Sequence, residues 1–371
     1  MKLIILKSNL RDGLSAIERA ITENNKLPIL KNVLIKTIDG IVKLSATNLE
    51  LGINRLISGK IIEKGAITVP FQTFYSITNN SDSERINLEV DNNNLIFKTD
   101  NYEAKIQGIK EEEFPIIPKI ENENNFIEID PVILKDALLR VSSAAQISEI
   151  RPEISGVLFD FQITILKLVA TDSFRLAEKT LYDREYKTNF NRGFKCIVPL
   201  KTIQEAIRIF NDEKLIKIYI DSTQILFKNE DVELISRLID GEYPDYEQII
   251  PKEIETETVI GRDYFINALK LVSNFSSNIN DVRLKMEKDG KNLEIYSAHQ
   301  YLGENCYVVP AKIKGEGVKE ITFNWKFLLN GLKATKESKN LIFGICGDSR
   351  PAIIKSPDDN SYFYILMPIK A

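Results

Sequence analysis

The stretch Leu168–Ala177, LVATDSFRLA, places a Thr-Asp pair and an arginine inside an otherwise apolar run. Taken alone, it has the look of a small catalytic constellation. It is not alone: LSATNLELG (Leu44–Gly52) and IYSAHQYLG (Ile295–Gly303) align with it on Ala46, Ala170 and Ala298, at offsets of 124 and 128 residues. Thr47-Asn48, Thr171-Asp172 and His299-Gln300 then share one slot, and a catalytic centre is not normally built three times with different side chains. The pattern predicts a strand-to-loop corner, in which short hydrogen-bonding side chains tie the turn backbone.

The repeat extends outward from that corner. LIILKSNLRDGLSAI (Leu3–Ile17), FIEIDPVILKDALLRV (Phe126–Val141) and TVIGRDYFINALKLV (Thr258–Val272) each read as an apolar strand running into helical spacing. A second strand-then-helix unit recurs from Ala66 (AITVPFQTFYSI), Lys195 (KCIVPLKTIQEAI) and Glu320 (EITFNWKFLLNGL). There Pro70 and Pro199 are expected in the first helical turn, where a missing N–H is unused, and Asn324 as an N-cap. Period-2 segments such as NVLIKTI and LEIYS fill the intervals, and KGEGVK (Lys314–Lys319) reads as a hairpin turn. Phe114-Pro115 and Tyr243-Pro244 match at an offset of 129 and precede polar linkers, so the expected domains are residues 1–121, 122–252 and 253–371. The expected fold class is α+β, three tandem similar domains, each with two helices packed on antiparallel sheet. A row of such domains leaves an uncovered edge at each end, and a second copy docked head to tail would close it into a ring.

Composition supports packed cores: 43% of the residues are hydrophobic and 27% charged, and 371 residues exceed one ordinary core. A net charge of −4 excludes a grossly basic nucleic-acid binder but allows positive charge concentrated on one surface. The apolar run Leu3–Leu6 is far shorter than the core of a signal peptide, and no run approaches a membrane span. Cys196, Cys306 and Cys346 lack C-x-x-C spacing and fit a reducing cytoplasm.

The chemistry-bearing residues are sparse. His299 is the single histidine, which removes histidine triads and H-E-x-x-H zinc sites, and no phosphate-cradling glycine motif occurs. The acidic clusters Glu111–Glu113 and Asp212-Glu213 read as solvated turns, so no catalytic residue, metal ion or cofactor is expected. The rival reading is a metal-dependent phosphotransferase using Asp172 with Asp160 or Asp240. Lys135, Arg140, Lys201, Arg208, Arg262 and Lys270 fall on expected helices, as do Lys326, Lys333, Lys336 and Lys339 against the single acid Glu337. They fit either solvated helix faces or a helix-lined hole whose weak positive field attracts phosphates without reading sequence. The tail SYFYILMPIKA reads as a final edge strand, or as a strand end lining an apolar groove with methionine as an adaptable surface.

With the threefold repeat established, five ordered motifs resemble the bacterial sliding clamp family, the β subunit of DNA polymerase III. They are LPILKNVLI (Leu27–Ile35), RPEISGVLFD (Arg151–Asp160), VATDSFRLA (Val169–Ala177), LIDGEYPDYEQIIP (Leu238–Pro251) and the terminal MPIK (Met367–Lys370). The resemblance implies a non-catalytic, ring-shaped homodimer of DNA clamp fold that encircles duplex DNA. It also implies a clamp loader that opens the ring, and tethering of the polymerase III catalytic subunit, repair polymerases, mismatch repair proteins and ligase. Their short peptides, rich in Gln, Leu and Phe, would dock between domains 2 and 3. The implied groove is lined by Arg151, Ile154, Thr171, Phe174, Arg175, Leu176, Pro244, Gln248, Ile249, Phe327, Pro351, Ile365, Met367 and Pro368. Thr171 and Arg175 would be polar anchors at its rim. Phe174 and Gln248 stand where the family often has histidine and arginine, which implies a more apolar, less charged lip. Basic positions often used on DNA are replaced by Asn24, Gln72 and Thr73, and an aromatic one by Glu153, which leaves Lys26, Arg151 and Lys201 as DNA-contact candidates.

Overall fold

Among the described residues the helical periodicity becomes six α-helices: α1 (Lys7–Ile17), α2 (Phe71–Asn80), α3 (Pro131–Ser142), α4 (Leu200–Ile209), α5 (Arg262–Val272) and α6 (Trp325–Ala334). A computed structural model of the chain describes residues 1–22, 26–120, 123–211, 214–336 and 338–370. Asn24, the expected boundary residues Glu121 and Asn122, Asp212-Glu213, Glu337 and the terminal Ala371 lie outside the described residues. Two compact units emerge: one of Met1–Pro131, Lys187–Phe190 and Glu205–Leu238, the other of Val132–Tyr186, Asn191–Gln204 and Ile239–Ala371. The central third of the sequence contributes to both.

In the first unit, α1 buries Leu10, Leu14 and Ile17, one stripe at helical spacing. Gly13 lies on that stripe because the helix approaches the sheet closely: a Cβ there would stand 2.7 Å from Ile57 Cγ2 and 2.9 Å from Leu44 Cδ1. The strands form a five-stranded sheet that ends at Glu103–Gln107 and a nine-stranded sheet. The longer sheet is continuous because Val232–Arg237 of the central third pairs antiparallel with Leu51–Ile57 of the first, with Leu234 opposite Ile53.

The second unit holds a twelve-stranded sheet. Its continuity rests on one pairing: Arg175–Tyr182 of the central third runs antiparallel to Tyr362–Leu366 of the last third. The carboxylate of Asp359 anchors this seam, facing Lys179 and the buried Arg140 at 3.5 Å each. Burial alone would raise its pKa, but Ser361, Lys179 and Arg140 outweigh it and hold Asp359 below the usual carboxylate range.

Two local expectations need correction. Pro70 and Pro199 are the last strand residues before α2 and α4, opposite Asn32 and Gly156 in the sheets, one position ahead of the first helical turn. Their restricted φ serves the exit from the strand equally well. Asn324 does cap α6, its Oδ1 accepting from Lys326 N at 3.0 Å. KGEGVK is a tight reversal but no hairpin: Val318–Asn324 pairs with Asp281–Met286, with Ile321 opposite Leu284. Gly315 and Gly317, at φ 105° and 75°, carry the chain past Asn292–His299 and Asp281–Met286 into that place.

Candidate functional site

The corner that opened the sequence reading is built from its own side chains. In the central copy Thr171 Oγ1 donates to Arg175 O at 2.6 Å and accepts from Ser173 N at 3.2 Å. Asp172 Oδ1 accepts from Phe174 N and Arg175 N, at 3.0 and 3.1 Å. The first copy repeats this atom for atom: Thr47 Oγ1 to Leu51 O and from Leu49 N, Asn48 Oδ1 from Glu50 N and Leu51 N. Ser173 and Leu49 occupy the same left-handed conformation, φ 77° and 74°. The third copy keeps the threonine's role as acceptor, with His299 Nδ1 accepting from Tyr301 N at 3.2 Å. The Thr-Asp pair is therefore architecture, and the single histidine is a turn tie.

Only the central copy adds an arginine. Arg175 Nε donates to Asp172 Oδ2 at 2.8 Å, and its guanidinium stacks 4.2 Å over the ring of Phe327 in the first turn of α6. The side chains of Thr171 and Arg175 are largely buried, and Thr171 Oγ1 and Arg175 Nε make their bonds inside the corner. Of the other carboxylates in the rival phosphotransferase reading, Asp160 is held by Lys195 and Gln162, and Asp240 is exposed on the linker.

The strand pairing beside the corner has two faces. Arg175, Ala177 and Lys179 stand opposite Leu366, Tyr364 and Tyr362, while Leu176 and Glu178 stand opposite Ile365 and Phe363. Alternation turns these sets to opposite sides of the sheet. The first lies under α6, where Gly331 leaves room for the Tyr364 ring that a Cβ would strike. The second joins Leu158, Val169, Ile197 and Ile353 in an apolar cluster covered by Ile239, Tyr243, Tyr246 and Ile250 of the linker.

Of the implied groove residues, Leu176, Ile365, Ile154 and Pro368 are buried and form floor. Pro244, Phe327, Pro351 and Met367 are half-buried, and Phe174 and Ile249 are exposed by 63% and 46%. The lip is tied to the corner: Met367 N donates to Phe174 O at 2.8 Å, and the strand register sets Pro351 beside Met367. Arg151 reaches the same turn, donating to Ser173 Oγ at 2.9 Å and to Glu153 at 3.0 Å. Gln248 bonds Asp245 on the linker. The fourteen residues thus all lie in the second unit.

Models of the DNA polymerase III beta subunit match this chain in three consecutive pieces: the N-terminal domain over residues 1–118, the central domain over 128–245 and the C-terminal domain over 247–370. The chain belongs to that family. The beta sliding clamp of Bacillus subtilis is 28% identical over 382 residues, with 100% of each chain covered, and that of Chlamydia pneumoniae is 27% identical, covering 100% of this chain and 99% of the relative. Among solved structures, the Bacillus subtilis sliding clamp matches with a TM-score of 0.94 at 27% identity, and the Thermotoga maritima beta subunit with 0.89 at 25%, each covering 100% of this chain and 99% of the other. The chain is a sliding clamp of three tandem domains, each combining helices with antiparallel sheet.

Within this clamp the helix-borne basic residues divide sharply. Arg208 donates to Ser15 O and Ala16 O, at 2.8 and 2.7 Å, and Arg262 Nε donates to Leu332 O at 3.1 Å. These are carbonyls in the last turns of α1 and α6, where a cation meets the negative end of the helix. Arg140, 3% exposed, pairs with Asp136 and Asp359. All three arginines of the expected basic set are structural. Exposed charge remains on Lys201, Lys270, Lys326, Lys333 and Lys339, with Lys336 paired to Asp136. Lys26 is exposed in the first unit, and Gln72 and Thr73 are exposed at the start of α2.

Sequence reading missed Glu178 and Tyr246. Glu178 occupies a period-2 slot that reads as solvent-facing when its strand is taken for half-buried; its burial depends on the linker lying over that face.

Proposed function

We propose that the protein is a non-catalytic processivity factor: a homodimeric ring around duplex DNA that tethers the replicative polymerase and other DNA enzymes through the seam groove. The observation that carries this reading is the run of three consecutive clamp-domain matches along the chain, together with an apolar lip where a peptide rich in Leu and Phe would lodge. Ring closure has support in two free edges. Glu103–Gln107 ends the five-stranded sheet. Gly303–Gly315 pairs through Pro310 with Asn292–His299 and beyond it with Thr256–Ile260, leaving the other side of 304–310 open among the described residues. Tyr307 and Val308 are exposed there, and Leu271, exposed by 54%, lies beside them through its carbonyl bond from Asn305. Head-to-tail docking would pair the edges and cover the apolar side chains.

DNA would be held topologically, with Lys26, Arg151, Lys201 and the exposed helix lysines giving weak, sequence-independent phosphate contacts. The clamp loader, the polymerase III catalytic subunit, repair polymerases, mismatch repair proteins and ligase are the proposed partners, and the cytoplasm is the proposed setting. The chain would then contribute to nucleotidyl transfer only as a subunit of a polymerase assembly. Analytical ultracentrifugation at the dimer mass, with long retention on nicked circular DNA and rapid loss from linear DNA, is the expected result. A stable monomer that leaves both DNAs at equal rates would refute the ring.

A further inference from the structure

Glu178 is a carboxylate in an apolar row. Its cross-strand neighbours are Val169 on one side and Phe363 on the other, and it is 6% exposed. Burying a charge there is unfavourable unless a specific contact offsets it. The group it faces from the linker is the Tyr246 hydroxyl. Glu178 Oε2 and Tyr246 Oη are both sealed from solvent, and neither has a hydrogen bond of normal length among the described residues. Thr180 Oγ1 donates to Glu178 Oε1 at 3.4 Å, which leaves Oε2 and the Tyr246 hydroxyl to each other as a contact poised to close.

Tyr246 begins the short helical turn Tyr246–Ile249, which carries Gln248 and Ile249. Its neighbours tether that turn at its edges: Lys167 Nζ meets Glu247 at 2.9 Å, and Tyr243 Oη reaches Val169 O at 3.5 Å. The Glu178–Tyr246 contact lies between them, two residues along the strand from Leu176 on the groove floor.

We propose that Glu178 and Tyr246 form a latch that sets the height of the Pro244–Ile249 wall above the seam and closes when a peptide seats. Glu178 is then a positioning residue for docking, an inference that rests on the groove reading above. Burial raises the Glu178 carboxyl above the ordinary range, against the lowering by Tyr246, Lys167 and Thr180, while Glu247 raises it further. Asp160, the other nearby carboxylate, is paired with Lys195, and Phe363 contributes no charge. The tyrosine hydroxyl bonds an ionised carboxylate more strongly than a neutral one. The latch is therefore strongest above the raised value and loosens as pH falls through it.

The test is fluorescence anisotropy with a labelled short peptide rich in Gln, Leu and Phe and full-length protein from about pH 5.5 to about pH 8, together with hydrogen exchange of the 243–250 amides. Wild-type affinity should fall about fivefold toward acid, the worth of one hydrogen bond. Tyr246→Phe and Glu178→Gln should bind about fivefold more weakly at the alkaline end, show no pH slope, and exchange faster in 243–250. Glu178→Gln should also melt higher than wild type near neutral pH, since it removes a buried charge; a purely structural role would lower it. Wild-type affinity, slope and exchange in both variants would overturn the latch while leaving the groove intact. If wild type captures no peptide, the groove reading fails, and unchanged exchange in the variants then removes the latch as well.

Discussion

Replacing Arg175 by alanine tests the corner most directly. The guanidinium is 10% exposed and its partner Asp172 3%, so the substitution leaves a buried carboxylate without its counter-charge. Breaking such a pair costs about 3–5 kcal/mol, and the two backbone amides that Asp172 keeps place this case near the lower end. Losing the stack on Phe327 adds about 1 kcal/mol, for a total of about 4 kcal/mol. Asp172→Asn should cost only about 2 kcal/mol, because Asn48 already caps the first corner with the same two amide bonds. Urea unfolding followed by circular dichroism and by the fluorescence of Trp325, which opens α6 two residues before Phe327, measures both. Since Met367 is hydrogen-bonded to Phe174 in this corner, Arg175→Ala should also weaken peptide binding. A loss below about 1 kcal/mol for Arg175→Ala, or equal losses for the two variants, would refute the reasoning.

Met367→Ala removes an accessible apolar contact of the lip and should weaken peptide binding about tenfold by anisotropy, while deleting residues 367–371 should abolish binding and leave the dimer mass unchanged. Gly13→Ala drives a methyl against Ile57 and Leu44 and should destabilise by about 1–3 kcal/mol, read as a lower Tm. Asp359 has a folded pKa below its unfolded one, so its contribution is complete above the ordinary carboxylate value and lost as pH falls through the folded one. Asp359→Asn should accordingly reduce Tm at neutral pH and flatten its decline below about pH 4.

What was legible in the sequence is what short-range chemistry decides. Thr171-Asp172 could be assigned to a turn because its bonds close within four residues, and the α1 stripe of Leu10, Leu14 and Ile17 because its spacing is the helix period. The threefold repetition of these local devices, with the order of five motifs, led to the clamp family and an α+β class. The apolar tail could likewise be placed on a final strand, Tyr362–Leu366.

Tertiary structure alone decided which long-separated edges meet. Arg175–Tyr182 finds Tyr362–Leu366 across nearly the whole second half of the chain, and Val232–Arg237 finds Leu51–Ile57. That choice moved Val318–Asn324 out of a hairpin, turned Arg140, Arg208 and Arg262 from prospective phosphate contacts into structural cations, and buried Glu178 beneath Tyr246. The physical reason is the same in each case. Periodicity states which face of an element a side chain takes, but what covers that face, and therefore whether a charge meets water, a carbonyl or a tyrosine, is settled by residues far away along the chain.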